Sequence, residues 1–217
     1  MENLAAIAQT VAIISACFAI ISGIGAWKRE FIGKRQIELA EQLLATFFEI
    51  KDAIAFIRSP FASLEEGKSR QRKPYESKDE SDLLDRGYIV VERYAKKENI
   101  FVSFNVMKYK FMATFGTETE DMFAETNKIT NSIFSAANIL ATHYWQRQGR
   151  VQMEHDEFQK HLDEMHKYEG IFWDNWHEDD AIRFKLKQVQ ERFEAVTAPC
   201  FEEPMTTFKI FTAKWFK

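Results

Sequence analysis

The run from Leu4 to Trp27 contains 24 consecutive residues without a charged side chain. As a helix rising about 1.5 Å per residue, such a run reaches about 36 Å, which exceeds the roughly 30 Å hydrocarbon core of a bilayer. The sequence therefore predicts a transmembrane anchor at residues 1–27. A cleaved secretory signal is the alternative, but no basic residue precedes the run, and the run is longer than an ordinary signal core.

A basic cluster follows the anchor directly. Basic side chains close to a membrane end stay on the cytoplasmic side and attract anionic lipid, and an aromatic ring such as that of Trp27 favours the headgroup level. The sequence therefore predicts a single-pass protein of the plasma (inner) membrane, with its N-terminus outside and residues 28–217 in the cytoplasm. The cluster consists of Lys28, Arg29, Lys34 and Arg35.

Small residues form a stripe along one face of the anchor. They recur at spacings of three and four, which places them on the same side of a helix. Small side chains allow membrane helices to pack closely, so this stripe predicts a homo-oligomer formed through the anchor. The small-residue stripe consists of Ala5, Ala8, Ala12, Ser15, Ala19, Ser22 and Ala26.

The same register continues beyond the anchor, where it changes from small to large apolar residues. It reaches Ala40, Leu43, Phe47, Ile50, Ile54 and Ile57, and no proline occurs before Pro60. A single glycine inside a helix costs only about 1 kcal/mol. We therefore predict one helix over residues 4–58, with a break at Gly33 as the alternative.

Four further helices are predicted after a polar linker at residues 59–82, whose charged run is typical of a solvated segment. The first covers 83–115, with Leu84, Tyr88, Val91, Ala95 and Val102 as its apolar face and Gly116 as its end. Thr117 and Glu120 indicate a capping box for the second, whose stripe runs from Met122 to Tyr144. The third carries Phe158, Leu162, Met165 and Phe172, and the fourth runs from Ile182 to Val196 before Pro199 stops it.

This pattern predicts an all-α protein in which residues 28–217 form an antiparallel helical bundle. An amphipathic tail follows at 205–217, with Phe208, Phe211 and Trp215 on one side. Such a tail either lies on the inner leaflet or completes the core of the bundle, because short amphipathic helices look the same in both settings.

Chemistry-bearing residues concentrate between positions 154 and 180. Glu154, Glu157, His161 and Glu164 share one helix face, and carboxylates with an imidazole suit iron, manganese or zinc. The pattern departs from the paired Glu-x-x-His sites of helical bundles, however, and a solvated acidic face is the simpler interpretation. The chain also lacks the familiar phosphate, nucleophile and zinc motifs. We therefore predict no cofactor.

The resulting hypothesis is a membrane-tethered, non-enzymatic interaction or regulatory module that contacts lipid, its own copies and a protein partner. The 29 basic and 33 acidic residues give a net charge of −4, which argues against nucleic acid, and two cysteines cannot form a disulfide scaffold. Two alternatives remain. One is a metal-dependent membrane enzyme built on residues 154–180, and the other is an oligomeric effector that perturbs the membrane.

Overall fold

The computed structural model describes residues 2–177 and 179–202, and within these ranges the regular structure is entirely helical, as predicted. A 3₁₀ turn, Thr117–Thr119, precedes α4, and a π-helical segment, Leu140–Tyr144, joins α4 to α5. The helices are α1 (Glu2–Ile57), α2 (Lys78–Ala95), α3 (Glu98–Phe115), α4 (Glu120–Ile139), α5 (Trp145–Arg147), α6 (His155–Phe172) and α7 (Ala181–Phe201).

The first helix runs through Gly33 without interruption, so the prediction of one long N-terminal helix is confirmed and the alternative break at Gly33 is wrong. An added Cβ at Gly33 would meet no atom within 4 Å, so neither a turn nor a close neighbour requires glycine there. The helix continues because one glycine costs only about 1 kcal/mol and the residues that follow, Lys34, Arg35 and Gln36, are good helix formers.

The single helix predicted over 83–115 is wrong, because the chain divides it at Lys96–Lys97 into α2 and α3. Helix α2 also begins earlier than expected, at Lys78, since Ser77 accepts a hydrogen bond from the Glu80 amide and caps it. The predicted apolar face is wrong as well: Val91 and Val102 are exposed. The buried side of α2 is partly polar, and hydrophobic periodicity therefore could not predict it. It includes Ser81, Asp85, Ile89, Val90 and Arg93.

Two predicted helix ends also differ from the structure. The capping box at Thr117 and Glu120 is wrong, because Thr117 begins the 3₁₀ turn and makes no capping bond, while Glu120 pairs with Lys108 at 3.2 Å. Pro199 does not stop α7, which continues to Phe201. Proline has no amide hydrogen to donate to the carbonyl of Ala195, so the last turns of α7 form with one internal hydrogen bond fewer.

Residues Leu43–Val196 form one compact unit, and the chain outside these bounds is assigned to a second. The core of the first unit is a phenylalanine cluster in which every ring is fully buried. The centroids of Phe104 and Phe123 are 4.7 Å apart, and those of Phe123 and Phe193 are 5.3 Å apart. Large aromatic surfaces in tilted and edge-to-face contact stabilise this core. The cluster consists of Phe47, Phe104, Phe111, Phe123 and Phe193.

Helix α4 contacts α2, α3 and α6 within the same unit. Its predicted stripe is confirmed from Met122 to Leu140, all of whose members are buried. Gly87 allows the close approach of α2, because an added Cβ there would lie 2.6 Å from Cβ of Ala141 and 3.0 Å from the carbonyl oxygen of Ala137.

Candidate functional site

The first part of α1 is uncovered on every side, with large apolar side chains over most of its surface and the small-residue stripe on the remaining face. Residues 9–26 are exposed apart from Gly25, which is half-buried, and the side chain of Phe18 is 73% exposed. The most apolar window of this helix has a mean hydropathy of 2.0 and none of it is buried. Among the described residues, α1 is the helix that is long and apolar enough to cross a membrane.

The small-residue stripe is exposed along this part of α1. Ala12, Ser15, Ala19, Ser22 and Ala26 are all uncovered, and they share one face because α1 is a continuous helix. Ala5 and Ala8 belong to the residues whose side chains the structure does not describe. The stripe as an interface between copies therefore stays a prediction.

Two of the predicted membrane-interface residues next to the anchor, Trp27 and Arg35, lie against the ring of Phe31. Trp27 stacks on Phe31 with centroids 5.7 Å apart, and the guanidinium of Arg35 lies 5.9 Å from the same Phe31 ring. Lys34 pairs with Glu30 at 2.8 Å, and Lys28 and Arg29 are exposed. The other three predicted interface residues, Phe208, Phe211 and Trp215, lie outside the described residues.

Two of the four candidate metal ligands form ion pairs with basic side chains. Glu157 pairs with Arg147 at 3.5 Å, Glu164 pairs with Lys167 at 2.5 Å, and Glu154 is exposed immediately before α6. His161 is buried. Within residues 2–177 and 179–202, no three histidine, cysteine or carboxylate side chains are grouped so that they could hold a metal ion.

A buried arginine follows the last residue of α1. Both terminal nitrogens of Arg58 donate to the carboxylate of Asp180, each at 2.8 Å, and both side chains are almost fully enclosed. The guanidinium also donates to three backbone carbonyls at 2.8 Å each, those of Gly170, Ile171 and Trp173. Because a buried ion pair persists only when its polar atoms are satisfied, this arrangement fixes the end of α6 against the start of α7.

Asp180 also begins α7. Its Oδ1 accepts hydrogen bonds from the amides of Ile182 and Arg183 at 2.9 Å, as a helix-capping aspartate does. Burial raises the pKa of this carboxyl, but the hydrogen bonds from Arg58 and from the Arg183 amide lower it more, so the pKa lies below its ordinary value. Asp180 is therefore an enclosed, ionised partner for Arg58.

A second buried carboxylate, Asp174, holds the loop between α6 and α7. It accepts hydrogen bonds at 2.9 Å from the Arg183 guanidinium and from the backbone amide of Trp176. Trp176 has a φ of +57°, the one positive φ at a non-glycine residue in the described chain. A bulky residue in this region is strained and persists only where its surroundings impose it.

A second buried arginine, Arg93, orders the chain that leaves α1. Arg93 of α2 donates to the carbonyl oxygens of Ser59 and Phe61 at 2.6 Å, and to the carboxylate of Glu66 at 2.8 Å. The hydrogen bond from Arg93 is the main cause that lowers the pKa of Glu66. The chain after α1 is thus held by side chains rather than by regular structure.

These contacts present two exposed rings side by side, which we call the aromatic pair. Phe61 is 74% exposed and Trp176 is 54% exposed, and their ring centroids are 5.1 Å apart. Uncovered aromatic side chains on a fixed backbone are typical of binding surfaces, where tryptophan is enriched among the residues that dominate affinity.

Hydrogen bonds from arginine side chains also order the later part of the predicted linker. Arg70 donates to Asp85 of α2 at 2.9 Å and to Glu76 at 2.5 Å, while Arg72 also reaches Asp85 at 2.5 Å. The hydrogen bond from Arg70 is the main cause that lowers the pKa of Glu76 to about 2. Arg70 and Arg72 of the basic half are therefore paired with acidic residues, which differs from the solvated run that we expected.

Gly67 is required in that segment. Its φ is +87°, and an added Cβ would lie 2.0 Å from the carbonyl oxygen of Asp85. Both the backbone conformation and the close approach to α2 exclude a side chain.

The described residues thus define an all-helical protein with one helix long and apolar enough to cross a membrane. Comparison with protein-family models, with curated proteins and with solved structures finds no match in any of the three.

Proposed function

We propose that the protein is a membrane-anchored, non-enzymatic interaction or regulatory module that self-associates through its first helix. In this proposal α1 crosses the plasma (inner) membrane with its N-terminus outside, and residues 28–217 form a helical bundle in the cytoplasm. One observation carries the proposal: the apolar side chains of residues 9–26 are uncovered on every face of the helix.

Lipid is a favourable environment for a helix with uncovered apolar side chains. Each large apolar side chain left in water forgoes about 1.5–3 kcal/mol of burial, and six exposed isoleucine, valine and phenylalanine residues lie between positions 11 and 21. A helix that is apolar all round is covered either by a large protein core or by a membrane. The described structure places no protein around residues 9–24, which supports the membrane.

Charge supports the proposed orientation. Lys28, Arg29, Lys34 and Arg35 all lie directly after the apolar run. Basic residues are retained on the cytoplasmic side during insertion, which directs the larger part of the chain inward.

The exposed small-residue stripe supports self-association. Alanine and serine at spacings of three and four allow two helix backbones to approach within lipid, where van der Waals packing replaces the hydrophobic effect as the driving force. We propose that copies of α1 pack along Ala12, Ser15, Ala19, Ser22 and Ala26, and that this contact brings the following domains together.

The aromatic pair supports a role in binding a partner. Arg58, Arg93 and Asp174 hold the backbone beneath Phe61 and Trp176, so the two rings are positioned before any partner arrives. A surface that is organised in advance loses less conformational entropy on binding. We propose that these two rings contribute to the surface that the module offers to its partner.

Disulfide crosslinking in native membranes tests the self-association. In a variant with Cys17→Ser and Cys200→Ser, we expect Ala19→Cys to form a disulfide-linked dimer on oxidation. Cysteine at Ile21, on the opposite side of the helix, serves as the matched control and should crosslink poorly. Adding Ala12→Leu should reduce the Ala19→Cys dimer severalfold, because leucine separates the helices. Equal crosslinking at positions 19 and 21, or no effect of Ala12→Leu, would contradict an interface along the stripe.

A further inference from the structure

His161 is enclosed in the structure with one of its polar atoms unsatisfied. The residue is 7% exposed, and its Nε2 is the one buried side-chain nitrogen or oxygen in the described ranges that has no hydrogen-bond partner. Buried polar atoms are nearly always paired, so an orphaned atom calls for an explanation. A neutral imidazole tolerates an unpaired Nε2 as a bare acceptor, whereas a protonated Nε2 would be a buried cation with no acceptor to receive its proton.

The π-helical segment packs against this histidine. The Tyr144 ring lies 5.3 Å from the His161 ring between centroids, and 5.4 Å from the Tyr168 ring on the next turns of α6. His143 meets Tyr144 edge-on at 5.0 Å. A π-helical turn is rare, contains one residue more than an α-helical turn, and frequently occurs at functional positions.

The charged groups around His161 are unfavourable to a second positive charge. Arg147 of α5 and His143 of the π segment face it. The carboxylates of Glu157 and Glu164, on the same face of its own helix, are already paired with Arg147 and Lys167. Helix α4, which also packs on α6, carries no titratable residue after Lys128. Among the described residues of the elements packed against α6, none is therefore placed to neutralise a protonated His161.

The pKa of His161 reflects this environment. Burial is the main cause that lowers the pKa below its ordinary value of 6.5, and the charges of Arg147 and His143 lower it further. A hydrogen bond with the Tyr144 backbone and the charge of Glu157 oppose the shift but do not reverse it. The folded protein thus holds His161 in its neutral form at neutral pH.

We propose that His161 makes the contact between α6 and the π segment sensitive to pH, so that acidification releases the first half of α6 from Leu140–Tyr144. Protonation converts the orphaned Nε2 into a donor without an acceptor, and the imidazolium leaves the interface for water. The surface opened in this way lies in the unit Leu43–Val196, so the device gives the module a response to the acidity of its compartment.

The sign of the effect follows from linkage. His161 has a lower pKa in the closed contact than in the open one, so the open form binds more protons. The contact is therefore at full strength above about pH 6.5, the ordinary histidine value, and weakens as the pH falls below it. Its opening constant should rise by up to about tenfold for each pH unit between 6.5 and the pKa of the closed form.

Hydrogen exchange of the full-length protein in lipid nanodiscs tests this inference. After correction for the intrinsic pH dependence of exchange, we expect the amides of Leu140–Arg147 and His155–Met165 to exchange severalfold faster at pH 5.5 than at pH 7.5, while the amides of α3 change little. His161→Gln, which stays neutral, should abolish the difference. His166→Gln is the matched control, because His166 is an exposed histidine on the same helix, and it should leave the difference intact.

Two results would overturn the inference. The first is corrected exchange in these segments that does not depend on pH, and the second is a pH dependence that persists unchanged in His161→Gln. If His161→Gln fails to fold, the histidine ring resonances of the unaltered protein decide instead. A His161 resonance that titrates below pH 6.5, together with shifts at Tyr144, supports the inference, and titration at or above 6.5 contradicts it.

Discussion

Residues 9–26 and residues 43–57 belong to the same helix and carry a similar density of apolar side chains, yet they differ in how those side chains are covered. Phe18 is 73% exposed, whereas Phe47 is completely buried among the other rings of the phenylalanine cluster. In 43–57 the apolar residues form one stripe and the opposite side carries Glu49 and Asp52, while in 9–26 they surround the helix. One-sided apolarity specifies packing against protein on that side, whereas all-round apolarity requires cover on every side, either by lipid or by a large protein core.

The largest expected effect comes from placing charge in the uncovered region. Ile14→Arg combined with Phe18→Arg should release the full-length protein from the membrane fraction, because each arginine near the centre of a span costs about 2.5–3.5 kcal/mol. The control is Ala45→Arg with Phe48→Arg, at two exposed positions later in the same helix. Membrane fractionation checks the result, and retention of the first variant would remove the distinction between the two regions.

Within the unit Leu43–Val196, a buried charge is stable only where an oppositely charged side chain and hydrogen bonds surround it. Arg58→Met should lower the free energy of unfolding by about 3–5 kcal/mol, because it leaves Asp180 buried without its cation. Arg58→Met with Asp180→Asn should recover part of this loss. Thermal unfolding of the full-length protein in detergent measures the change, with exposed Lys187→Met as the control. A loss no larger than that of Lys187→Met would show that the ion pair does not hold α6 against α7.

Two helical glycines, one covered by neighbouring atoms and one open, allow the effect of an added methyl group to be compared. Gly87→Ala should destabilise by about 1–3 kcal/mol, because the new methyl group would press on Ala141 and on the Ala137 carbonyl. Gly170→Ala should stabilise by about 0.5–1 kcal/mol, since it is also helical but has no atom within 4 Å of the added Cβ. The same thermal unfolding measurement compares the two, and equal shifts would contradict the close approach at Gly87.

The smallest expected effect is the acid sensitivity of the ordered segment after α1. The pKa of Glu76 is lowered from 4.5 to about 2, so its contribution is present above about pH 4.5 and is lost as the pH falls toward 2. Glu76→Gln should make the unfolding temperature of the protein less dependent on pH in this range. Glu65→Gln, an exposed neighbour, is the control, and an unchanged pH dependence in Glu76→Gln would show that the pairing with Arg70 contributes nothing measurable.

Periodicity predicted the parts of the fold that are governed by apolar burial. The stripe of α1 from Ala40 to Ile57, the stripe of α4 and the buried face of α7 with Ile182, Leu186 and Phe193 all lie where a 3.6-residue period places them. Such faces are local properties of a helix, and they can be read without knowing what covers them.

The buried charges could not be predicted in this way. Arg58, Arg93 and Asp180 are enclosed because residues far away in the chain supply their hydrogen bonds, and a hydrophobic pattern assigns each of them to the surface. Asp180 did carry a local signal, since an aspartate two residues before an apolar stripe is a common helix cap. The aromatic pair carried none, because Phe61 and Trp176 come together only when both loops are in place.

The reactivity of Cys17 tests most directly whether residues 9–26 lie in lipid. In a Cys200→Ser variant, Cys17 is the single thiol, and it is exposed in the structure at the middle of the apolar run. A charged, water-soluble maleimide added to opened membrane vesicles should leave Cys17 unlabelled and should label it fully after denaturation in SDS. Cysteine placed at exposed Ala45, with Cys17→Ser and Cys200→Ser, should be labelled in the vesicles. Rapid labelling of Cys17 in intact bilayers would contradict the membrane anchor.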